Sequence, residues 1–502
     1  MDVKRLLLRG RADLQIAQDD SLLFRNVAAD RVAHLAHAKE YTSAVLAADR
    51  ARARALLAEF ELSPGETEGL REVIADGVNP GQAMAIEAAA IARVPESMRR
   101  YLGVRDPWTG PSGGLHASAL LRQHGEQTRR WADLLLASFA ARSLTATELL
   151  DTVRSLDHPV LVLHPIDDRI ALFLIMPDAT IHHAMSAMTA TEIQQHAGAL
   201  RHENAAPAGF RAAAGAIYSA LIAPLNQHLS ACTSLTISPY RDLSAIPFAL
   251  AEDENGTPFV ERCAVSVVPS IATLALLRER AHESGAAGSA LVIGDPATIR
   301  LPRLPGAATE ARVVEARLRV AHPDMPLQLL LGTDATPAAF LERARGARLV
   351  HLACHAVEDD STQQSALYLA ADATGDDRLD RADVIQAPLN DALVFLSACR
   401  SAAGRPAAEG TLGLAREFLR AGARAVVASH WNVPDDVTAI LVEHFYTSFI
   451  GADSDVATAL RMAMRATRRE LGHAGAGSRT AAHPAEWGGF SVIGDGTLRD
   501  QL

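Results

Sequence analysis

Two positions in this chain put a reactive side chain at the end of a buried-looking apolar run. The run Leu349-Val-His-Leu-Ala-Cys354 delivers His355, and the run Ala392-Leu-Val-Phe-Leu-Ser-Ala398 delivers Cys399. Sites in open parallel sheets gather at the carboxyl ends of strands. If the two runs are neighbouring strands, imidazole and thiol share one rim of the sheet. Such a pair can do acyl chemistry. The thiolate attacks a carbonyl carbon, the imidazole takes a proton and returns it, and backbone N–H groups near the cysteine hold the oxyanion. A plainer reading also stands, because a cysteine closing an apolar strand is often an inert packed side chain.

Neighbouring residues have their own alternatives. His351 and His355 stand four apart, the spacing of a zinc pair on a helix, but the surroundings read as strand and no Glu follows the first His. Cys354 should face away from His355 and reads as a buried structural thiol. The acidic cluster Glu358-Asp359-Asp360 reads as a solvated turn.

The elements that must position this pair change character along the chain. Up to about residue 150 the pattern is helical, with Ala/Leu/Arg/Glu stretches at 47–59 and 123–142 and turns at Ser63-Pro64-Gly65 and Asp106-Pro107. Residues 51–60 look like the closing helix of a tetratricopeptide array, although no strict 34-residue repeat emerges. Near residue 155, Pro159–Leu163 and Ile170–Met176 read as a hairpin. Two helices follow, near 191–202 and 209–228, and then strands and helices alternate. Strands are expected at 234–238, 264–268, 290–293, 327–331, 349–354, 366–369, 392–397, 423–428 and 490–493. Helices are expected at 271–282, 308–318, 337–344, 411–421 and 436–450. Nearly continuous apolar strands separated by amphipathic helices indicate an α/β fold with a mostly parallel sheet covered on both faces.

Composition narrows the chemistry. With 49% hydrophobic and 21% charged residues the chain can bury a core. Of 48 Lys plus Arg, only Lys4 and Lys39 are lysine. A phosphate-loop lysine or a Schiff-base lysine therefore has no place beyond residue 39. The net charge of −11 argues against a nucleic-acid partner, and the local strip Arg461, Arg465, Arg468, Arg469 reads as a solvated helix face. Neither a membrane-spanning apolar run nor a signal-peptide core is evident, so no membrane partner and a cytoplasmic location are expected. Cys232, Cys263, Cys354 and Cys399 are too widely spaced for a disulfide framework or a zinc signature.

Taken in order, the motifs of the C-terminal part resemble the CHAT domain, a caspase- and separase-like cysteine peptidase fold (clan CD) often preceded by tetratricopeptide repeats. The resemblance runs through Leu235–Pro239, Leu243–Phe248, Val268-Pro-Ser270, Leu304-Pro-Gly306 with Glu310, His351–His355 and Leu396–Cys399. It continues through Gly410–Gly422, Ser429-His-Trp-Asn-Val-Pro-Asp435 and Trp487–Asp495. It implies His355 and Cys399 as catalytic residues, and Ser429, Trp431 and Asp435 on the segment that shapes the pocket for the residue before the scissile bond. Where the family commonly has Gly after the catalytic His, this chain has Ala356. Its N–H, with that of Cys399, remains available to an oxyanion, but a positive φ there would strain the Cβ. After the cysteine stand Arg400 and Ser401, where the family often has an acidic or amide residue and Thr.

The expectation is thus a helical region at 1–154 that senses or binds an activating protein, followed by a caspase-like domain at 155–502. The resemblance divides the latter into a pseudo-catalytic half, 155–285, and a catalytic half, 286–502. The function expected is a cofactor-free cysteine endopeptidase cleaving a protein substrate, with bacterial immunity or regulated cell death as the context the resemblance implies. Asp435 would pair with a basic substrate side chain, or the pocket would be small and hydrophobic. The competing reading is a catalytically inert scaffold that uses both regions to bind partners.

Overall fold

The structure is a computed structural model that describes residues 32–49, 144–200, 206–283, 288–359, 364–372, 375–398, 413–450, 454–474 and 483–500. The tetratricopeptide-like stretch at 51–60 and the turns near 63–65 and 106–107 lie outside these residues. Within the N-terminal region, residues 32–37 and 41–49 are helical. The helix Ala146–Arg154 starts on a reciprocal cap: Thr145 Oγ1 accepts from the Glu148 N–H, and the Glu148 carboxylate accepts from the Thr145 N–H.

The strands follow in two groups. The first comprises β1 (Val160–Ile166), β2 (Arg169–Ile175), β3 (Ile181–Thr189), β4 (Ser234–Ser238), β5 (Ala264–Val267), β6 (Ser289–Pro296) and β7 (Leu327–Gly332). The second comprises β8 (Ala347–Ala353), β9 (His355–Asp359), β10 (Gln364–Tyr368), β11 (Arg378–Leu379), β12 (Ala392–Ser397), β13 (Ala423–Ser429) and β14 (Phe490–Gly494). Eleven strands form one sheet in the order β3-β2-β1-β4-β5-β14-β13-β12-β8-β6-β7, and β11-β10-β9 form a small second sheet. The main sheet is parallel except where β1/β2, β2/β3 and β13/β14 run antiparallel. The hairpin read near residue 160 is β1/β2. β3 went unread, and it is an edge strand.

Why the central strands are unbroken apolar runs is plain from their two faces. Along β12, Leu393 and Phe395 enter one apolar cluster while Val394 and Leu396 enter the other. Helices cover both sides, so both sets are buried. On one side lie Pro305–Ala321 and Asp435–Phe449, supplying Val314, Leu441 and Phe445; on the other lies Gly413–Arg420, supplying Phe418. The stretch Pro207–Leu229 is long and apolar enough to cross a membrane by length and composition, with mean hydropathy 1.3. Its first part, the helix Pro207–Leu221, packs into the core with Phe210, Ala213 and Ile217 fully buried.

Two charge clusters bind the layers together. Buried Asp495 accepts from Arg278 at 3.0 Å and from Arg424 at 2.9 Å, tying the Ile271–Glu283 helix to β13. Arg461, Arg465 and Arg468 of the strip are anchored, which corrects the reading of these three as a solvated face; Arg469 is exposed. Arg461 donates to the carbonyls of Val260 and Glu261, while Arg465 and Arg468 grip the Glu261 carboxylate at 2.6 and 2.7 Å.

Candidate active site

β8 and β12 are direct parallel neighbours, and their ladder closes with Ser397 opposite Ala353. His355 follows Ala353 by two residues, and in the sequence Cys399 follows Ser397 by two. Cys399 and the segment to residue 412 lie outside the described residues. A bend at Cys354 takes the chain out of the main sheet, and His355 opens β9, in register with Tyr368 of β10. The acidic residues Glu358 and Asp359 belong to β9, not to a turn. A run of acids gives little sign of a strand, and the pairing with β10 supplies what the side chains do not.

His355 is half-buried, and its Nε2 lies 2.8 Å from the carbonyl oxygen of Pro302. A carbonyl only accepts, so this bond places the proton on Nε2 and leaves Nδ1 as the basic nitrogen. Ala356 lies in β9 opposite Leu367 and is not among the positive-φ residues. The strain expected of an alanine there does not arise.

A cleft of about 550 Å³, its open mouth included, adjoins His355 and the end of β12. Its walls carry Ser429, Trp431 and Asp435 together with Glu310, Val433 and Phe490. Ser429 is buried and donates its hydroxyl to the carbonyl of Ala398 at 2.7 Å, holding the residue that precedes Cys399. Trp431 is fixed by its indole N–H, which donates to the Ala485 carbonyl at 2.8 Å. Asp435 begins the Asp435–Phe449 helix and stands exposed at the mouth. Gly306 lies in the first turn of the facing helix Pro305–Ala321, where a Cβ would come within 3.1 Å of the Asp435 Cβ, so glycine lets the two helix ends close around the cleft.

Cleft electrostatics are acidic. Partial desolvation of the Asp435 carboxyl, followed by the negative charge of Glu310, raises its pKa above the ordinary carboxylate value, while His355 pulls the other way. Glu310 is 4% exposed. Its Oε1 lies 2.9 Å from His351 Nε2 without the alignment of a hydrogen bond and has no hydrogen-bond partner among the described residues. His351 is a core histidine whose Nδ1 meets the Tyr446 hydroxyl at 3.1 Å. Cys354 is buried in the apolar cluster beneath β8 and also touches the cleft.

The site also holds the Pro302 carbonyl, which sequence reasoning missed, and Glu310, which it named within a motif without giving it a role. Glu310 had a signal: with Ala307, Ala311, Val314 and Leu318 it forms one helical stripe, and an acid inside an apolar stripe calls for a partner or a ligand. A main-chain carbonyl has no signal in the side chains.

A CHAT domain description matches residues 211–495 of the chain. Human tetratricopeptide repeat protein 28 is 27% identical over 342 residues, covering 56% of this chain and 13% of that protein. Its mouse counterpart is 26% identical over 341 residues with the same coverage. The chain therefore spans about an eighth of the curated relatives it matches. Among solved structures, a Saccharomyces cerevisiae separase–securin complex contains a chain that superposes with a TM-score of 0.50 at 9% identity, covering 86% of this chain and 37% of that one. The architecture is the caspase-like α/β fold, a large mostly parallel sheet between helices.

Proposed function

The chain belongs to the CHAT domain family, and on that premise we propose that it is a cysteine endopeptidase acting through His355 and Cys399. The observation that carries this reading is the β8/β12 ladder, which sets Ala353 opposite Ser397, each two residues ahead of a dyad member in the sequence, with Nδ1 of His355 left basic by the Pro302 carbonyl. Nδ1 takes the Cys399 thiol proton, and the thiolate attacks the scissile carbonyl carbon. The resulting oxyanion is held by backbone N–H groups, those of Ala356 and Cys399 being the candidates. Collapse breaks the C–N bond as His355 returns its proton to the leaving amine, giving a thioester. Water, deprotonated by His355, then hydrolyses the thioester and restores the thiol.

The substrate class is argued from the cleft. Glu310 and Asp435 both line it, favouring a basic side chain before the scissile bond over a neutral one. Residues 1–154 are the region we assign to an activating protein partner, in a regulated defence or cell-death setting. The test is cleavage of a whole proteome by wild type and Cys399→Ala, with new amino termini sequenced. The reading expects wild-type-only termini that follow Arg or Lys. Equal patterns in both proteins would refute the peptidase assignment.

A further inference from the structure

The groups beyond the Pro302 carbonyl form a strut that reaches His355 from the neighbouring strand. Asp295 ends β6, which pairs parallel with β8, so it stands on the same rim as His355. Its φ is +45°, a left-handed conformation that is strained for a residue with a Cβ, though less so for Asp than for most. Strain of this kind persists only where surrounding bonds hold it.

Those bonds are present and converge on one carboxylate. Arg303 Nη2 donates to Oδ2 at 2.6 Å and Nε to Oδ1 at 3.0 Å, a two-point clamp, while the Leu304 N–H donates to Oδ1 at 2.6 Å. Asp295 is 4% exposed. Burial alone would raise its pKa, but the hydrogen bonds of Arg303 and Leu304 outweigh that and hold the carboxyl below its ordinary value. Asp295 thus stays ionised. The two residues it grips are those immediately after Pro302. Proline has a fixed φ, and with the following residues clamped, the plane of the Pro302–Arg303 peptide and the aim of its carbonyl are set.

We propose that Asp295 is a positioning residue: through Arg303 and the Leu304 N–H it aims the Pro302 carbonyl that fixes the ring orientation and proton position of His355. The inference rests on the dyad reading for its consequence, but its geometry stands apart from Cys399. Asp295 does not touch His355; it acts through the loop. The alternative is that the clamp merely closes the loop at residues 296–304 and adds stability without directing the imidazole.

Among the described residues, the titratable groups around His355 are Asp295 near the end of β6, Glu310 and Asp435 from the two helices bounding the cleft, and Cys354 next to it in the chain. A pH profile alone would mix their effects. The decisive readout is the ring itself, observed by long-range proton–nitrogen NMR of histidine-labelled protein, with the His355 signal assigned from its loss in His355→Gln. The full chain is compared with Asp295→Asn and Asp295→Ala. Asparagine can still accept from the Leu304 N–H and tolerates a left-handed φ, so it is the variant expected to fold.

Wild type should show His355 with its proton on Nε2. Asp295→Asn should show a mixture of the two proton positions, and Asp295→Ala a larger departure. Iodoacetamide alkylation of Cys399 at neutral pH should slow about tenfold or more in the same order, the scale on which hydrogen-bond partners of metal-bound imidazoles act. A purely structural clamp would lower the melting temperature of both variants while leaving the ring signals unchanged. That result overturns the proposal even if alkylation stays His355-dependent. Cys399 alkylation that ignores His355→Gln in wild type refutes the dyad instead, and the ring spectra still decide the strut.

Discussion

Replacing Glu310 by Gln removes one negative charge from the cleft with little change of shape, and the structure sets how much that should matter. A cation 4 Å from a carboxylate gains about 4 kcal/mol at an effective dielectric constant near 20, before the cost of desolvating the cation is subtracted. Glu310 is 4% exposed with an oxygen that lacks a hydrogen-bond partner among the described residues, so most of its own desolvation has already occurred in the folded protein. A net loss of about 2–3 kcal/mol is expected, or roughly 30- to 150-fold in kcat/KM for a peptide with Arg before the scissile bond. Asp435 sits exposed at the mouth, where ion pairs are worth about 0–1 kcal/mol, so Asp435→Asn should cost no more than about fivefold. The assay compares kcat/KM for matched Arg and Gln peptides in wild type, Glu310→Gln and Asp435→Asn. The buried acid should outweigh the exposed one. Equal cleavage of both peptides by wild type, or an Arg preference untouched by Glu310→Gln, would refute the assignment of the cleft to a basic side chain.

Other expectations concern what holds the site in place. Asp495→Ala leaves Arg278 and Arg424 facing an emptied position at a fully buried site, and thermal unfolding should show a loss of about 3–5 kcal/mol. The pKa of Asp495 is lowered: burial opposes its charge, but Arg424 and Arg278 outweigh that. Its contribution is therefore present above the unfolded value of 3.8 and lost as pH falls through the lower folded value, an acid limb that Asp495→Asn should flatten. Asp49 accepts from the N–H groups of Ile271 and Ala272 at 2.6 and 3.0 Å, capping a helix 222 positions away. Asp49→Ala should cost about 0.5–2 kcal/mol and speed hydrogen exchange at the start of that helix. Phe395→Ala, in the ring cluster with Phe445 and Phe490, should cost about 3–5 kcal/mol in a denaturant titration.

Much of the fold is legible because a sheet buried on both faces demands uninterrupted apolar strands. The run at 392–397 shows this, and it coincides with β12. The unread strands are those that lack that demand. β3 is an edge strand of Ile, His, Ala, Met, Ser and Thr with mostly half-buried side chains, and β9 carries consecutive acids. His355 and Ser429 are legible from their places at the ends of buried runs and from ordered motifs. The Pro302 carbonyl is not, since main-chain groups gain a role only when a loop is folded. Asp295 lies between the two cases: an acid directly after an apolar strand is visible in sequence, but its three donors come from residues that only the loop at 296–304 brings back to it.

The central claim is that Cys399 is activated by His355, and the rates at which the four cysteines are alkylated test it most directly. Burial raises the thiol of Cys263 to about 12 and also raises that of Cys232, so both should be nearly inert near neutral pH. With limiting iodoacetamide at pH 7 and peptide mapping by mass spectrometry, Cys399 should be modified well ahead of Cys232, Cys263 and Cys354, and His355→Ala should abolish that lead. A Cys399 that reacts no faster than Cys232, or equally fast without His355, would contradict the account.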